Sequence, residues 1–159
     1  MAVTYEGATE QARQIMHHHA VLRRGLERCV GTVCAAAEQG VAHKRPMATL
    51  REYLEAEILP HAEAEERALY PVVAGQGRGT ELVHAMTAEH RELAYLAGRL
   101  LPSADGVEAA KVAEWIATLF AGHVAKVNDL LSVIVGSGAD LTALLTDMHH
   151  AQAGRERDR

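Results

Sequence analysis

The stretch Leu50-Arg-Glu-Tyr-Leu54-Glu-Ala-Glu57-Ile-Leu-Pro60-His61-Ala-Glu-Ala-Glu65-Glu66-Arg-Ala-Leu69-Tyr70-Pro71-Val72 decides how this chain is read. At steps of three and four it gives Leu50, Leu54, Glu57, His61, Glu65, Ala68 and Val72. That step places all of them on one face of a helix, and a face that begins and ends apolar looks toward a core. Its middle nevertheless carries two carboxylates and an imidazole. Burying such groups without partners costs on the order of several kcal/mol, so something inside the fold must meet them.

The same pattern recurs on both sides. A first helix from about Ala8 to Glu38 presents Ile15, His19, Leu22, Leu26, Cys29 and Val33. A third, from Thr80 to Leu101, presents Leu82, Met86, His90, Leu93, Ala97 and Leu100. A fourth, from Gly106 to about Val135, presents Val112, Ile116, Leu119, His123, Val127, Leu130 and Ile134. Turn signals separate them: Gly40 and His43-Lys44-Arg45-Pro46, then Pro71 with Gly75-Gln76-Gly77-Arg78-Gly79, then Pro102-Ser103, then Gly136-Ser137-Gly138. Pro46 suits a helix first turn, and Asp105 suits an N-cap. Pro60, inside the second helix, is expected to kink it or remove a hydrogen bond. Short connections make successive helices antiparallel neighbours, so the expected fold is an all-α, up-down four-helix bundle. A shorter fifth helix, Asp140 to His150, is expected to pack on it. The domain spans 1–153, with 154–159 as a disordered charged tail.

Each stripe holds one histidine where an apolar residue belongs. His19 lies about 11 residues into its helix and His90 about 10, while His61 and His123 lie about 10 to 12 residues before the ends of theirs; at about 1.5 Å per residue all four sit roughly 15–18 Å from the same end of an antiparallel bundle. One core histidine is usually just bonded to a carbonyl. Four at one level point to a shared metal ion, which supplies a partner for all of them at once. Glu65, one turn beyond His61, reaches the same centre. Three roles are open to Glu57: a further ligand, an acceptor for an imidazole N–H, or a proton relay. Mixed imidazole and carboxylate ligands suit iron or manganese, with zinc also compatible.

Composition excludes other classes. The chain has 159 residues and a net charge of -5, with no basic run, so nucleic acid is not expected as a partner. Aromatics are only 4% of residues, and alanine, leucine, glutamate and arginine favour helix. No apolar stretch approaches the roughly 20 residues of a bilayer span. The polar N-terminus lacks the features of a signal peptide, which leaves a cytoplasmic location as the expectation. Cys29 and Cys34, five apart on one helix, fall on different faces and are read as unpaired core or boundary residues. Among the other histidines, His17 is expected at the solvent or bundle edge and His43 in a surface loop, while His84 and His149 are either outer partners of the ligands or, as the favoured reading, uninvolved. No phosphate loop, dinucleotide fingerprint or nucleophile–base motif is present, and nothing requires a partner protein.

The run His61-Ala-Glu-Ala-Glu65-Glu66-Arg-Ala-Leu69-Tyr70-Pro71 resembles the HxxxEExxLYP signature of hemerythrin-like (HHE cation-binding) domains. His19-Ala-Val-Leu22-Arg23, Glu89-His90-Arg91-Glu92-Leu93 and His123-Val-Ala-Lys126-Val127-Asn128-Asp129-Leu130-Leu131 resemble that family's other helix motifs, in order and spacing. Asp140-Leu-Thr-Ala-Leu-Leu-Thr-Asp-Met148-His149 resembles the tail common in actinobacterial members. The resemblance covers nearly the whole chain. It implies a bundle holding two non-haem irons with a bridging carboxylate or oxygen, and a protein that binds dioxygen, handles nitric oxide or peroxide, senses redox state or stores iron. It carries His19, His61, Glu65, His90 and His123 over as ligands. His18 is an alternative to His19, and Glu57, Glu89 and Asn128 are further ligands or outer partners.

Two departures stand out. Many relatives have glutamate four residues after the helix-four histidine, and here that residue is Val127. Oxygen carriers have aspartate five residues on and a histidine one turn before the helix-three ligand; here those positions are Asn128 and Met86. Asp129 points off the stripe. The expected site is therefore asymmetric, rich in ligands from helix two and short of a carboxylate at helix four. It holds either one metal in a two-His-one-carboxylate arrangement or a pair bridged with help from Glu57. Three functions follow: a protein reacting with dioxygen, nitric oxide or peroxide, a metal-dependent oxidase or oxygenase acting on a small organic substrate, or a metal-free bundle serving as an interaction domain.

Overall fold

The computed structural model describes residues 5–77, 79–101, 104–137 and 139–148. Among these every regular element is helical: α1 (Tyr5–Glu38), α2 (Lys44–Tyr53), α3 (Leu59–Ala68), α4 (Tyr70–Ala74), α5 (Gly79–Arg99) and α6 (Gly106–Gly136). Residues 142–148 are also helical. The tail at 154–159 and His149 lie outside the described residues. Helices α1 and α6 run along each other over the longest seam; α2 packs on α1, and α5 packs on α6, α4 and α3. The result is a helical bundle.

The second expected helix is one continuous path in several pieces. Between α2 and α3 the chain makes a π-helical turn, Leu54–Ile58, in which the Leu59 N–H donates to the Leu54 carbonyl. Pro60 follows at once, in the first turn of α3. Proline has no N–H, and its ring crowds the carbonyl four residues back; widening the preceding turn accommodates both. The expected interruption thus takes the form of a π turn directly before His61, a common place for one in functional helices. Leu69 breaks the path again before the proline-containing α4.

The expected start of α6 is present: Asp105 caps it by accepting from the Glu108 N–H at 2.8 Å. α6 also corrects an expectation. It is long and apolar enough to cross a membrane by length and composition, with mean hydropathy 1.3 over its most apolar window. Its buried face, including Ile116, Phe120, His123, Val127 and Leu131, packs inside the bundle, which is how the core helix of a folded bundle meets the same criterion. Cys29 and Cys34 are half-buried and unpaired. His43 is more than a loop residue, since its Nε2–H donates to the Ala104 carbonyl at 2.9 Å and ties two connections together.

The core is in two parts. One cluster includes Leu22, Leu26, Ile58, Leu93, Ile116 and Phe120. The other includes Ile15, Ala64, Met86, Val127, Leu131 and Leu144. On each main helix path the histidine lies between a residue of one cluster and a residue of the other. The 142–148 stretch closes the second cluster with Leu144 and Met148. Gln11 anchors it, accepting from the Leu141 N–H and donating to Thr142, and Arg67 pairs with Asp147.

Candidate metal centre

Among the described residues the only buried polar or charged side chains are His19, His61, Glu65, His90 and His123. They form a polar layer between the two apolar clusters. Glu65, fully buried, is its middle. Its Oε1 lies 3.2 Å from His19 Nε2 and 3.1 Å from His61 Nε2. Its Oε2 lies 3.1 Å from His123 Nε2 and 3.3 Å from His90 Nε2. The groups divide into two triads able to hold a metal ion, His19–His61–Glu65 and Glu65–His90–His123, with the ligand atoms of each within 4.8 Å of one another.

The outer edges of the rings fix where their protons are. His90 Nδ1 lies 2.8 Å from Glu66 Oε1, and His123 Nδ1 lies 2.8 Å from Glu89 Oε2. His19 Nδ1 lies 2.7 Å from Asn128 Oδ1. Ionised carboxylates and an amide oxygen only accept, so each Nδ1 donates. In a neutral ring that turns the Nε2 lone pair inward. Lone pairs of three rings then face carboxylate oxygens, and His90 and His123 face each other at 3.0 Å between their Nε2 atoms. Such contacts repel unless protons or a cation lie among them. His61 adds a second indication: neither of its nitrogens forms a hydrogen bond, although Nε2 is 3.1 Å from Glu65, because the approach is off-line. Buried unpartnered nitrogens are rare, and a cation between His61 and Glu65 gives Nε2 its partner. The donor set fits a metal.

Electrostatics agree. Burial alone pushes the Glu65 carboxyl up, but the imidazoles of His61, His123 and His19 packed around it outweigh burial and hold the group well below the usual carboxylate range. Burial lowers the His61 pKa, partly opposed by Glu65. Glu65 is thus ready as an anion and His61 as a neutral ligand, the forms metal binding requires.

His18 is half-buried outside the layer, its ring 5.1 Å from that of His61. It lines an open groove of about 590 Å³ with Glu10, Arg13, His17 and Met148. His17 and His84 are exposed. Glu57, in the π turn, is half-buried and belongs to neither triad. Glu89 and Asn128 meet the outer nitrogens of His123 and His19 rather than the centre. Val127 and Met86 are fully buried in the apolar cluster beside the layer.

Three residues escape a reading based on stripes. Tyr70 is buried, stacks on His90 at 5.4 Å, and places its hydroxyl 3.1 Å from His90 Nε2. Burial, then the charges of Glu65 and Glu66, push its pKa up, so it stays a hydroxyl donor. Glu66 and Lys126, the latter paired with Glu89, complete the outer contacts. Tyr70 and Glu66 had a signal, their places in the HxxxEExxLYP run, and Lys126 stood in the helix-four motif.

The hemerythrin HHE cation-binding domain model matches residues 11–133 of this chain. The chain belongs to the hemerythrin HHE cation-binding domain family. Comparison with curated proteins and with solved structures gave no match. The matched span contains all four histidines, Glu65 and their outer partners, and the polar layer within it is a cluster able to hold a metal ion. Its geometry differs from the asymmetric site expected from Val127. Glu65 stands between two histidine pairs, one oxygen toward each, so a single carboxylate serves both sides of the layer.

Proposed function

We propose that this HHE domain is a non-haem iron protein holding two metal ions, one on each side of Glu65, that binds or reacts with dioxygen, nitric oxide or peroxide. The observation that carries this reading is the division of Glu65: Oε1 toward His19 and His61, Oε2 toward His90 and His123. Each position then has two imidazole nitrogens and one carboxylate oxygen from the protein. Iron suits that donor set, and manganese or zinc are compatible with it. Three protein ligands leave further positions open, and iron supplies redox chemistry toward small diatomic or peroxidic molecules there. His19, His61, His90 and His123 are the proposed ligands with Glu65. His19 is favoured over His18, because His19 is fully buried and belongs to a triad while His18 is half-buried and belongs to neither.

The reading takes the bundle as antiparallel up-down, with 142–148 beginning a short fifth helix, and places the protein in the cytoplasm. The chain's own groups prepare the site: the apolar clusters exclude water from both sides, the outer acceptors aim the Nε2 lone pairs inward, and the Tyr70 hydroxyl is a buried donor beside His90. The test is metal content and reactivity. Protein loaded anaerobically with ferrous iron should retain two irons per chain and change its visible spectrum on exposure to dioxygen, nitric oxide or hydrogen peroxide. Retention of no iron, manganese or zinc would overturn the reading. Oxygen consumption only with an added organic substrate would replace it with an oxygenase.

A further inference from the structure

The two halves of the layer share Glu65 but differ in what holds the outer edges of their histidines. On one side, His90 donates to the Glu66 carboxylate and His123 to the Glu89 carboxylate, each at 2.8 Å. On the other, His19 donates to the neutral amide oxygen of Asn128 at 2.7 Å. His61 has no partner at Nδ1. We infer that the two metal positions are unequal, the His90–His123 position binding first and tightly and the His19–His61 position second and weakly. This rests on the two-metal reading above.

The reason lies in ligand basicity and orientation. A carboxylate that accepts the Nδ1 proton pulls it outward, raises electron density at Nε2 and fixes the ring plane. An amide does the second and little of the first. A ring with no acceptor has neither aid and holds its Nδ1–H buried without a partner. The ion pair of Lys126 with Glu89 fixes that carboxylate in place. Glu66 is partly exposed, so its charge is screened while its hydrogen bond remains. Loss of such an outer partner typically costs about 10–100-fold in metal affinity. Two carboxylates against one amide therefore set a difference of at least about tenfold between the positions. Asn128 gains a role by this argument: it is the neutral outer acceptor that keeps the second position weak.

The test uses the full-length chain stripped of metal and titrated anaerobically with manganese(II) against a fluorescent chelator. Two steps separated by about tenfold or more are expected. Anomalous scattering from crystals grown at one equivalent should place the ion between His90 and His123. Glu89→Gln should weaken the tight step by about 10–100-fold and leave the weak step unchanged. Asn128→Asp, at a half-buried position, should tighten the weak step by about tenfold or more, with unchanged circular dichroism. Two ions bound with equal constants, or an Asn128→Asp variant with an unchanged weak step, would overturn the inequality while leaving the two-metal reading intact. A total of one ion or none would remove both.

Discussion

His61 Nε2 lies 3.1 Å from Oε1 of Glu65, one turn further along the same helix, yet forms no hydrogen bond there or at Nδ1. Two side chains are thus close enough to bond but aimed at a common point instead of at each other. The metal-free fold bears the cost of an unsatisfied buried imidazole, about 1–3 kcal/mol. His61→Leu should therefore leave the metal-free protein as stable as the wild type or more so. Its stabilisation by metal should fall sharply, because a ligand is gone. Wild-type protein at metal concentrations 100 times the dissociation constant gains about 2.7 kcal/mol. Thermal melts with and without manganese(II) check both parts. A metal-free variant that is much less stable would show that His61 already has its partner in the fold.

Removing the shared carboxylate should act on both halves at once. Glu65→Gln keeps the shape of the side chain and discards the charge. Loss of metal from both positions is expected, whereas His123→Ala should spare the His19–His61 position. Metal content per chain after dialysis distinguishes the two variants. Retention of one ion by Glu65→Gln would mean that Glu65 serves only one side.

The stripes and the helical rise were enough to gather His19, His61, Glu65, His90 and His123 at one level, because side-chain direction along a helix follows from a fixed repeat. The fold class was legible for the same reason. What the repeat does not carry is the tilt of each helix. The π turn at Leu54–Ile58 alters the register just before His61, and no count of residues from Leu50 predicts where Glu65 then points. This is why periodicity leaves a bridging role open to Glu57 beside Glu65, and why the missing carboxylate at Val127 reads as a one-sided site. The outer acceptors Glu66, Glu89 and Asn128 depend on rotamers across helix seams, which single-helix periodicity does not encode. Tyr70 reaches His90 only because the helix path breaks at Leu69.

Acid should loosen the metal-free protein in two stages. Burial lowers the His61 pKa below its ordinary value, about 6.5 in an unfolded chain. The fold therefore holds fewer protons than the unfolded chain just below that pH. The stability from His61 is present above about pH 6.5 and is lost as pH falls through the folded value. Glu65 has the same sign at lower pH, since its folded pKa is well below the usual carboxylate range. Melting temperature should be level near pH 8 and begin to fall below about pH 6.5, and in His61→Leu the fall should begin at lower pH. Identical profiles for the two proteins would refute the assignment.

A close backbone approach positions α5, and with it His90. A Cβ on Gly79 would collide with the Val73 carbonyl oxygen, a backbone atom with no side-chain freedom to yield. Gly79→Ala should therefore shift the start of α5 and destabilise the fold by about 1–3 kcal/mol. Chemical denaturation measures this directly. Gly98, with open space around its Cβ direction, is the control, and there alanine should gain up to about 1 kcal/mol from helix propensity.

Val127 offers the sharpest test of how much the metal compensates. It is fully buried, one turn beyond His123, among Ile15, Met86 and Leu131. Glutamate there restores the carboxylate that many relatives carry, but places a second anion beside Glu65 in an apolar cluster. Without metal, an uncompensated buried charge costs about 3–5 kcal/mol, so Val127→Glu should be severely destabilised when stripped. With two ions bound, the extra carboxylate neutralises charge that Glu65 alone leaves unbalanced, and much of that loss should return. Denaturation of the variant with and without manganese(II) gives the difference, which should exceed that of the wild type. Equal differences would place residue 127 out of reach of the ions, and the apolar side of the layer would then be purely structural.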